Sequence, residues 1–385
     1  MTQTAYINRI AAFLPGEPVD NDHMEGVLGM IGGRPSRARR LILRRNGIKQ
    51  RYYVLDPETG RPRWSNAELT AEAVRKLAGD GFELGDIGAL ACGTSSADQL
   101  APGHGVMVHG ELGNPGCEVV SLAGICVSGV AALKYAWMSV IAGQHASTVA
   151  TGSENTSTYM TAQNFAMENE ARVQALEENP EIAFEKDFLR WMLSDGAGAI
   201  LLQDRPNPAG LSLRVDWIDI HSYADRLPVC MYAGGDKDEQ GNFIPWRHYP
   251  SLAAAMQNSA FAVKQDVKLL NENVMPLTVR QGLIDSLERH PMRPDEVDWF
   301  LPHYSSEFFR QQVYDNLAAA GFEIPHEKWF TNLSEVGNVG SASPYLMLEA
   351  LFNSGRLQPG QTLLCYIPES GRFSTAFMRF TVVGQ

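Results

Sequence analysis

Glu118-Val-Val-Ser-Leu-Ala123 is a short apolar, β-branched run that predicts a buried strand. The Ala-, Leu- and Met-rich stretch from Cys126 to Ala142, closed by Gly143, predicts a buried helix. Cys126 thus stands at a strand-to-helix junction. A larger pattern repeats along the chain. Ala73-Val74-x-x-Leu77 followed by Asp86 to Ser96 matches Leu283-Ile284-x-x-Leu287 followed by Glu296 to Ser306, 210 positions later. Each unit reads as an amphipathic helix, an acidic turn, a buried strand and a Ser-rich strand end, which points to internal duplication. The same offset from Cys126 falls two residues short of Asn338, in a Gly-rich loop ahead of a helix-like segment from Pro344 to Phe352.

Alternating helices and strands in both halves predict an α/β fold with helices covering mainly parallel sheets. The expected halves are residues 1–205 and 206–385, meeting in the turn-rich stretch Gln203 to Gly210. Residues 160–190 and 222–258 lack a clear period and are expected to be insertions that form a lid or pocket wall. In such sheets ligands gather beyond the carboxyl ends of the strands, where Cys126, His303 and Asn338 all fall.

Composition narrows the class. The 385 residues are 44% hydrophobic and 20% charged, enough for one large or two medium domains with sizeable cores. Five cysteines without C-x-x-C spacing argue against a disulfide framework or zinc knuckle and suit a reducing cytoplasm. The N-terminal residues lack a signal-peptide apolar region and no long apolar run is present, so a soluble, cytoplasmic protein is expected. A net charge of −12 disfavours nucleic acid as a partner. One segment departs from that acidity: Arg34, Arg37, Arg39, Arg40, Arg44, Arg45, Lys49 and Arg51 crowd together, followed or broken by a turn at Asn46-Gly47. This is either a solvated basic helix or a landing site for an anion such as phosphopantetheine or an acidic protein.

Several residue types here carry chemistry. A thiol at a helix N-terminus is expected to favour its thiolate, through the unpaired N–H groups and the helix dipole. A thiolate can accept an acyl group, while an imidazole and an amide can donate to the oxyanion of a second thioester. The order Cys126, His303, Asn338 also occurs in papain-like hydrolases, so the trio alone does not separate C–C bond formation from hydrolysis. Glu154, after an apolar strand, is a candidate second base or a structural carboxylate. Structural alternatives apply throughout: packing for Cys126, a satisfied core histidine for His303, a left-handed turn for Asn338 between Gly337 and Gly340. His104 and His109 are expected to be structural, and Ser194 to Ala199 to be a tight turn against the nucleophile helix. No residue set has metal-ligand spacing. Gly32-Gly33 and Gly234-Gly235 lack a phosphate-loop context and read as ordinary turns.

At these residues the chain resembles the type III β-ketoacyl-acyl-carrier-protein synthases of the thiolase superfamily, over nearly its whole length. Arg45-Asn-Gly-Ile-Lys-Gln-Arg51 is similar to their T-G-I-x-x-R motif, Gly93-Thr-Ser-Ser-Ala97 to T-T-S-A, and Ser121 to Gly129 to their nucleophile loop. Ser194 to Ala199 resembles G-D-G-A-G-A, Leu301-Pro-His303 the histidine strand end, and Gly337 to Ser343 resembles G-N-T-S-A-A-S. Ser370-Gly371-Arg-Phe-Ser374 stands where the family has G-G-G-F-T. The resemblance implies a duplicated five-layer αβαβα fold and a homodimer. It makes Cys126 the acylated nucleophile, His303 and Asn338 the enolate or decarboxylation pair, and the backbone N–H groups of Cys126 and Gly371 the oxyanion hole. Arg40, Arg44, Arg45 and Arg51 would face the pantetheine entrance and an acidic acyl carrier protein. Acyl-CoA or acyl-carrier thioesters would be substrates, with no further cofactor. The chain is longer than the fatty-acid-initiating members, and the tryptophan they carry before T-G-I is replaced by the arginine run. Ala5-Tyr-Ile-Asn-Arg, Pro35 to Arg40 and Asn46 to Tyr53 are more similar to dialkylresorcinol-forming ketosynthases, in which two medium-chain acyl thioesters, one of them β-keto, are joined and closed to a cyclohexanedione.

Overall fold

The computed structural model describes residues 4–36, 39–79, 81–164 and 189–384. Nine strands form one mixed sheet: β1 (Tyr6–Phe13), β2 (Ala89–Thr94), β3 (Glu118–Ala123), β4 (Ser147–Glu154), β5 (Gly196–Gln203), β6 (Ser212–Ser222), β7 (Trp299–Pro302), β8 (Thr362–Glu369) and β9 (Ser374–Val383). Their order is β7-β8-β9-β6-β1-β5-β4-β2-β3. The connectivity on either side of the β1–β6 contact is the same. In the first half β2 runs parallel to β3 and β4, and β5 lies antiparallel between β4 and β1. In the second, β7 runs parallel to β8, and β9 lies antiparallel between β8 and β6. The counterpart of β3 is reduced to a parallel bridge between Phe300 and Trp329. The halves join where Tyr6 and Ile7 pair antiparallel with Arg214 and Leu213.

The helices needed to place the site are α1 (Arg39–Asn46), α2 (Asn66–Arg75), α3 (His104–Leu112), α4 (Cys126–Ile141), α5 (Val267–Met275), α6 (Gly282–Arg289), α7 (Arg310–Ala319) and α8 (Ser343–Phe352). Side chains alternate across a strand. On β8, Leu363, Cys365 and Ile367 face a central core with Val130 and Leu133 of α4 and Leu348 and Leu351 of α8. Leu364 and Tyr366 face an outer core with Leu283 of α6 and Val313 and Leu317 of α7. On β5, Ile200 and Leu202 turn inward while Ala197, Ala199 and Leu201 meet Leu69, Val74 and Val108 of α2 and α3. Burial on both faces explains why these strands read as continuous apolar runs. The layers are therefore α2/α3, the β1–β5 half-sheet, α4/α8, the β6–β9 half-sheet and α5–α7.

The predicted helices from Cys126 and Pro344 appear as α4 and α8, and Gly143 ends the first with φ +70. Three expectations fail. The sheet is mixed rather than mainly parallel, with three parallel and five antiparallel strand pairings among the described residues. Glu118–Ala123 is the sheet edge rather than a buried strand, so its side chains are half-buried or exposed. Ser194 to Ala199 is no turn: Gly196 begins β5, and a Cβ on Gly198 would lie 2.3 Å from Tyr345 Cβ of α8, not against α4. The mismatch arises because small residues suit a turn and a strand closely overlain by a helix equally well. Of the insertion expected at 160–190, residues 165–188 lie outside the described residues. The one at 222–258 carries the hairpin Gly235–Lys237/Phe243–Pro245, and Met231–Tyr232 pairs with Lys264–Gln265.

Candidate active site

Cys126 opens α4 directly after β3, and His303 follows the end of β7. Asn338 lies in the loop before α8, where its N–H donates to Met192 O at 2.9 Å and its carbonyl accepts from Ser194 N at 2.9 Å. All three side chains line one cavity of about 550 Å³, together with Glu154, Gly371 and Glu369. Its remaining wall is largely apolar, with Met160, Leu189, Met192, Leu270, Val274 and Met275. Val229, Met231, Tyr232 and Phe243, from the inserted stretch and its start, supply the pocket wall expected there.

The Asn loop is held by close approach. A Cβ on Gly129 of α4 would stand 2.1 Å from Ser341 O, and one on Gly152 of β4 would stand 2.3 Å from it. Only glycine lets the turn settle this deeply between the halves. The Tyr345 hydroxyl adds a bond to Gly129 O at 2.8 Å. Within the loop, Asn338 Oδ1 accepts from Gly340 N at 3.0 Å. That bond fixes the amide orientation and leaves the NH₂ group as the donor available to the cavity.

The His303 backbone N–H donates to Tyr366 O at 2.8 Å, but its imidazole has no hydrogen-bond partner among the described residues, and burial pushes its pKa down to about 4. It is thus a neutral imidazole, able to donate from one nitrogen or accept at the other. With the Asn338 amide it can stabilise an oxyanion on a thioester carbonyl.

The thiol differs from expectation. Burial pushes the Cys126 pKa well above its ordinary range, and the carboxylates of Glu369 and Glu154 act in the same direction. The helix end expected to favour a thiolate is occupied: Glu369 Oε2 accepts from Ile125 N at 3.0 Å and Val127 N at 3.1 Å. A full negative charge there outweighs the partial positive charge of the helix terminus. These bonds use the N–H groups on both sides of the nucleophile, leaving that of Cys126 itself. The Gly371 carbonyl is fixed by Cys230 N at 2.8 Å and Met231 N at 3.2 Å, and its N–H has no acceptor among the described residues.

Glu154 is buried, with four bonds on its carboxylate: Ser95 N at 3.2 Å, Ser341 N at 3.1 Å, and the Ser95 and Ser96 hydroxyls at 2.6 Å each. Burial still raises its pKa, with those bonds opposing. Held in this way, it ties β4 to the Asn loop, which is the structural alternative weighed for it. His104 is buried between Thr70 and Ser153, and burial lowers its pKa to about 4, as a structural histidine requires.

The basic segment divides. Arg40, Arg44 and Arg45 are exposed on α1, whereas Arg51 is fully buried. Its guanidinium donates to Trp191 O and Asn21 Oδ1, and burial lowers its pKa to about 10. Arg51 therefore does not face an entrance: it anchors the strand-like segment against which Asn338 is docked. Arg37 lies outside the described residues. Among the described residues no group of His, Cys, Asp and Glu could hold a metal ion, and no helix is long and apolar enough to cross a membrane.

Sequence reasoning missed Glu369. It stands one residue before the Ser370 to Ser374 stretch that carries the resemblance, so no motif pointed to it.

Residues 287–367 match the family described as 3-oxoacyl-[acyl-carrier-protein] synthase III C terminal. The β-ketoacyl-[acyl-carrier-protein] synthase III of Oleidesulfovibrio alaskensis is 24% identical over 365 residues, covering 94% of this chain and 95% of that one. A tetronic acid condensing enzyme superposes with a TM-score of 0.72 at 20% identity, covering 98% of this chain and 100% of that one. OleA of Xanthomonas campestris, solved with lauric acid and lauroyl-CoA, gives 0.71 at 18% identity over 99% and 100%. The 3-oxoacyl-(acyl carrier protein) synthase III of Pseudomonas aeruginosa gives 0.69 at 19% identity over 98% of each. The chain thus shares the fold of these condensing enzymes over nearly its whole length and is similar in sequence to 3-oxoacyl-[acyl-carrier-protein] synthase III, most clearly in residues 287–367.

Proposed function

We propose that the protein joins two acyl thioesters by Claisen condensation, holding the first as a thioester on Cys126. The observation that carries this reading is the convergence of Cys126, His303 and the free Asn338 NH₂ on one largely apolar cavity. The Cys126 and Gly371 N–H groups receive the oxyanion of acyl transfer. The neutral imidazole and the Asn338 amide receive the enolate oxygen of the second thioester, whose carbanion attacks the acyl carbon. The thioesters are the substrates, and the reaction so written uses no further cofactor.

The finer reading is that both acyl chains are of medium length, one of them β-keto, and that condensation leads to a cyclohexanedione in secondary metabolism. The apolar lining and the lauroyl-CoA bound by OleA support chains of that class. The exposed arginines of α1 serve as the landing site for a CoA phosphate or an acyl carrier protein. A cytoplasmic homodimer fits the unpaired β3 edge, whose Val119, Val120 and Leu122 are left partly exposed. Incubation with a panel of acyl-CoA and acyl-carrier thioesters tests this reading. Intact-protein mass spectrometry should show an acyl adduct that Cys126→Ala abolishes, and product analysis a new C–C bond. Free acid as the sole product would refute condensation.

A further inference from the structure

Resting on the acyl-transfer reading above, we infer that Glu369 is the base that takes the proton of Cys126 when the acyl group is transferred. Its carboxylate is bonded to the peptide N–H groups on both sides of the nucleophile, so covalent geometry keeps it within a side chain's length of the sulfur. Both groups line the same cavity. Both bonds fall on Oε2, and among the described residues Oε1 has no partner. Besides the phenols of Tyr159, Tyr232 and Tyr304, the other ionisable groups facing this space are Glu154, His303 and Arg372. Glu154 is saturated by four donors, and Arg372 Nε is bonded to Leu227 O at 3.1 Å. His303, with Asn338, acts on the second thioester.

A carboxylate beside a buried thiol holds the proton on sulfur, since a thiolate there would face an unscreened like charge. The same carboxylate accepts that proton at the moment the sulfur bonds to carbon. The Cys126 S–H bond breaks toward Glu369 as sulfur attacks the thioester carbonyl, and the oxyanion rests on the Cys126 and Gly371 N–H groups. The bond to the leaving sulfur then breaks, and Glu369 returns the proton to that thiolate. One acyl group has been exchanged for one proton.

Glu369→Gln keeps the shape and an acceptor for the two N–H groups while removing the charge. Two rates are compared with the wild type: single-turnover acylation of Cys126 by an acyl-CoA, and iodoacetamide alkylation between pH 7 and 8. Acylation should slow about 10²–10⁴-fold, the usual contribution of general base catalysis. Alkylation should accelerate, because the thiol loses its negative neighbour. A purely structural role moves both rates the same way or neither, and either result overturns the inference. Should this variant melt far below the wild type, Glu369→Asp decides. It keeps the charge but retracts it, so acylation should still fall, and unchanged acylation overturns the assignment. Absence of any wild-type adduct would instead refute acyl transfer itself, whereas normal wild-type acylation with an unimpaired variant refutes Glu369 alone.

Discussion

Replacing Gly152 by alanine tests how the halves hold Asn338 in place. The new methyl would lie 2.3 Å from Ser341 O and 2.9 Å from Tyr345 Cδ2. Carbon and oxygen settle at about 3.3 Å, so the turn must retreat by roughly 1 Å. Neither partner yields easily. Ser341 N is tied to Glu154, and the Ser341 hydroxyl donates to Ser153 O at 2.9 Å, while Tyr345 is pinned through Gly129 O. Overpacking of this kind costs about 1–3 kcal/mol in stability. Because Asn338 is three residues from Ser341, a shift of that size is expected to slow condensation by on the order of 10²-fold. Iodoacetamide alkylation of Cys126 should change little, since the thiol is placed by α4. Gly110→Ala is the control: a Cβ there meets nothing within 4 Å, and on helix α3 it should be neutral or stabilising by about 0.5–1 kcal/mol. Thermal melts, condensation rates and alkylation rates are measured on both. A Gly152→Ala enzyme with wild-type melting and turnover would falsify the view that this contact positions the amide.

Charge and burial set the outcome of three further tests. His303 is neutral down to a pKa of about 4, below its ordinary 6.5, so condensation from enzyme already acylated on Cys126 should show no His303 ionisation between pH 5 and 8. The unfolded chain binds that proton first, so the stability due to neutral His303 is complete above pH 6.5 and declines as pH falls toward 4; stopped-flow rates and denaturant melts across this range check both. Arg44→Glu combined with Arg45→Glu should raise KM for carrier-bound thioesters and leave that for short pantetheine thioesters unchanged. Arg51→Lys should leave the ratio of the two KM values intact but lose about 1.5–3 kcal/mol of stability through its bonds to Trp191 O and Asn21.

The repeat around Ala73 and Leu283 and the apolar periods of α4 and α8 were legible because they report burial, which the sequence writes directly. The three polar residues were legible as a set because equivalent strand ends converge in this kind of sheet. Arg51 misled because a run of arginines says nothing about which member turns inward to satisfy a carbonyl. The thiol's ionisation was misread for a related reason. The helix end at Cys126 could be predicted locally, but the carboxylate that fills it comes from residue 369, on the far side of the chain. Glu118–Ala123 has the composition of a core strand, and only the strand order shows it at an edge.

Of the two antiparallel partners of β1, β5 is the earlier in the chain, and it pairs Tyr6 with Gln203 and Phe13 with Ala197. At roughly 5–20 residues per second, ribosomal synthesis keeps β1 waiting on the order of ten to forty seconds before that partner exists. During that interval Ile7, Ile10 and Ala11, all buried in the finished protein, have no sheet to enter. The nascent chain is therefore exposed to mispairing and to capture by holding chaperones for as long as the first half takes to be made. Because closure of that half depends on so distant a pair, folding speed should be governed by topology more than by the strength of any local element.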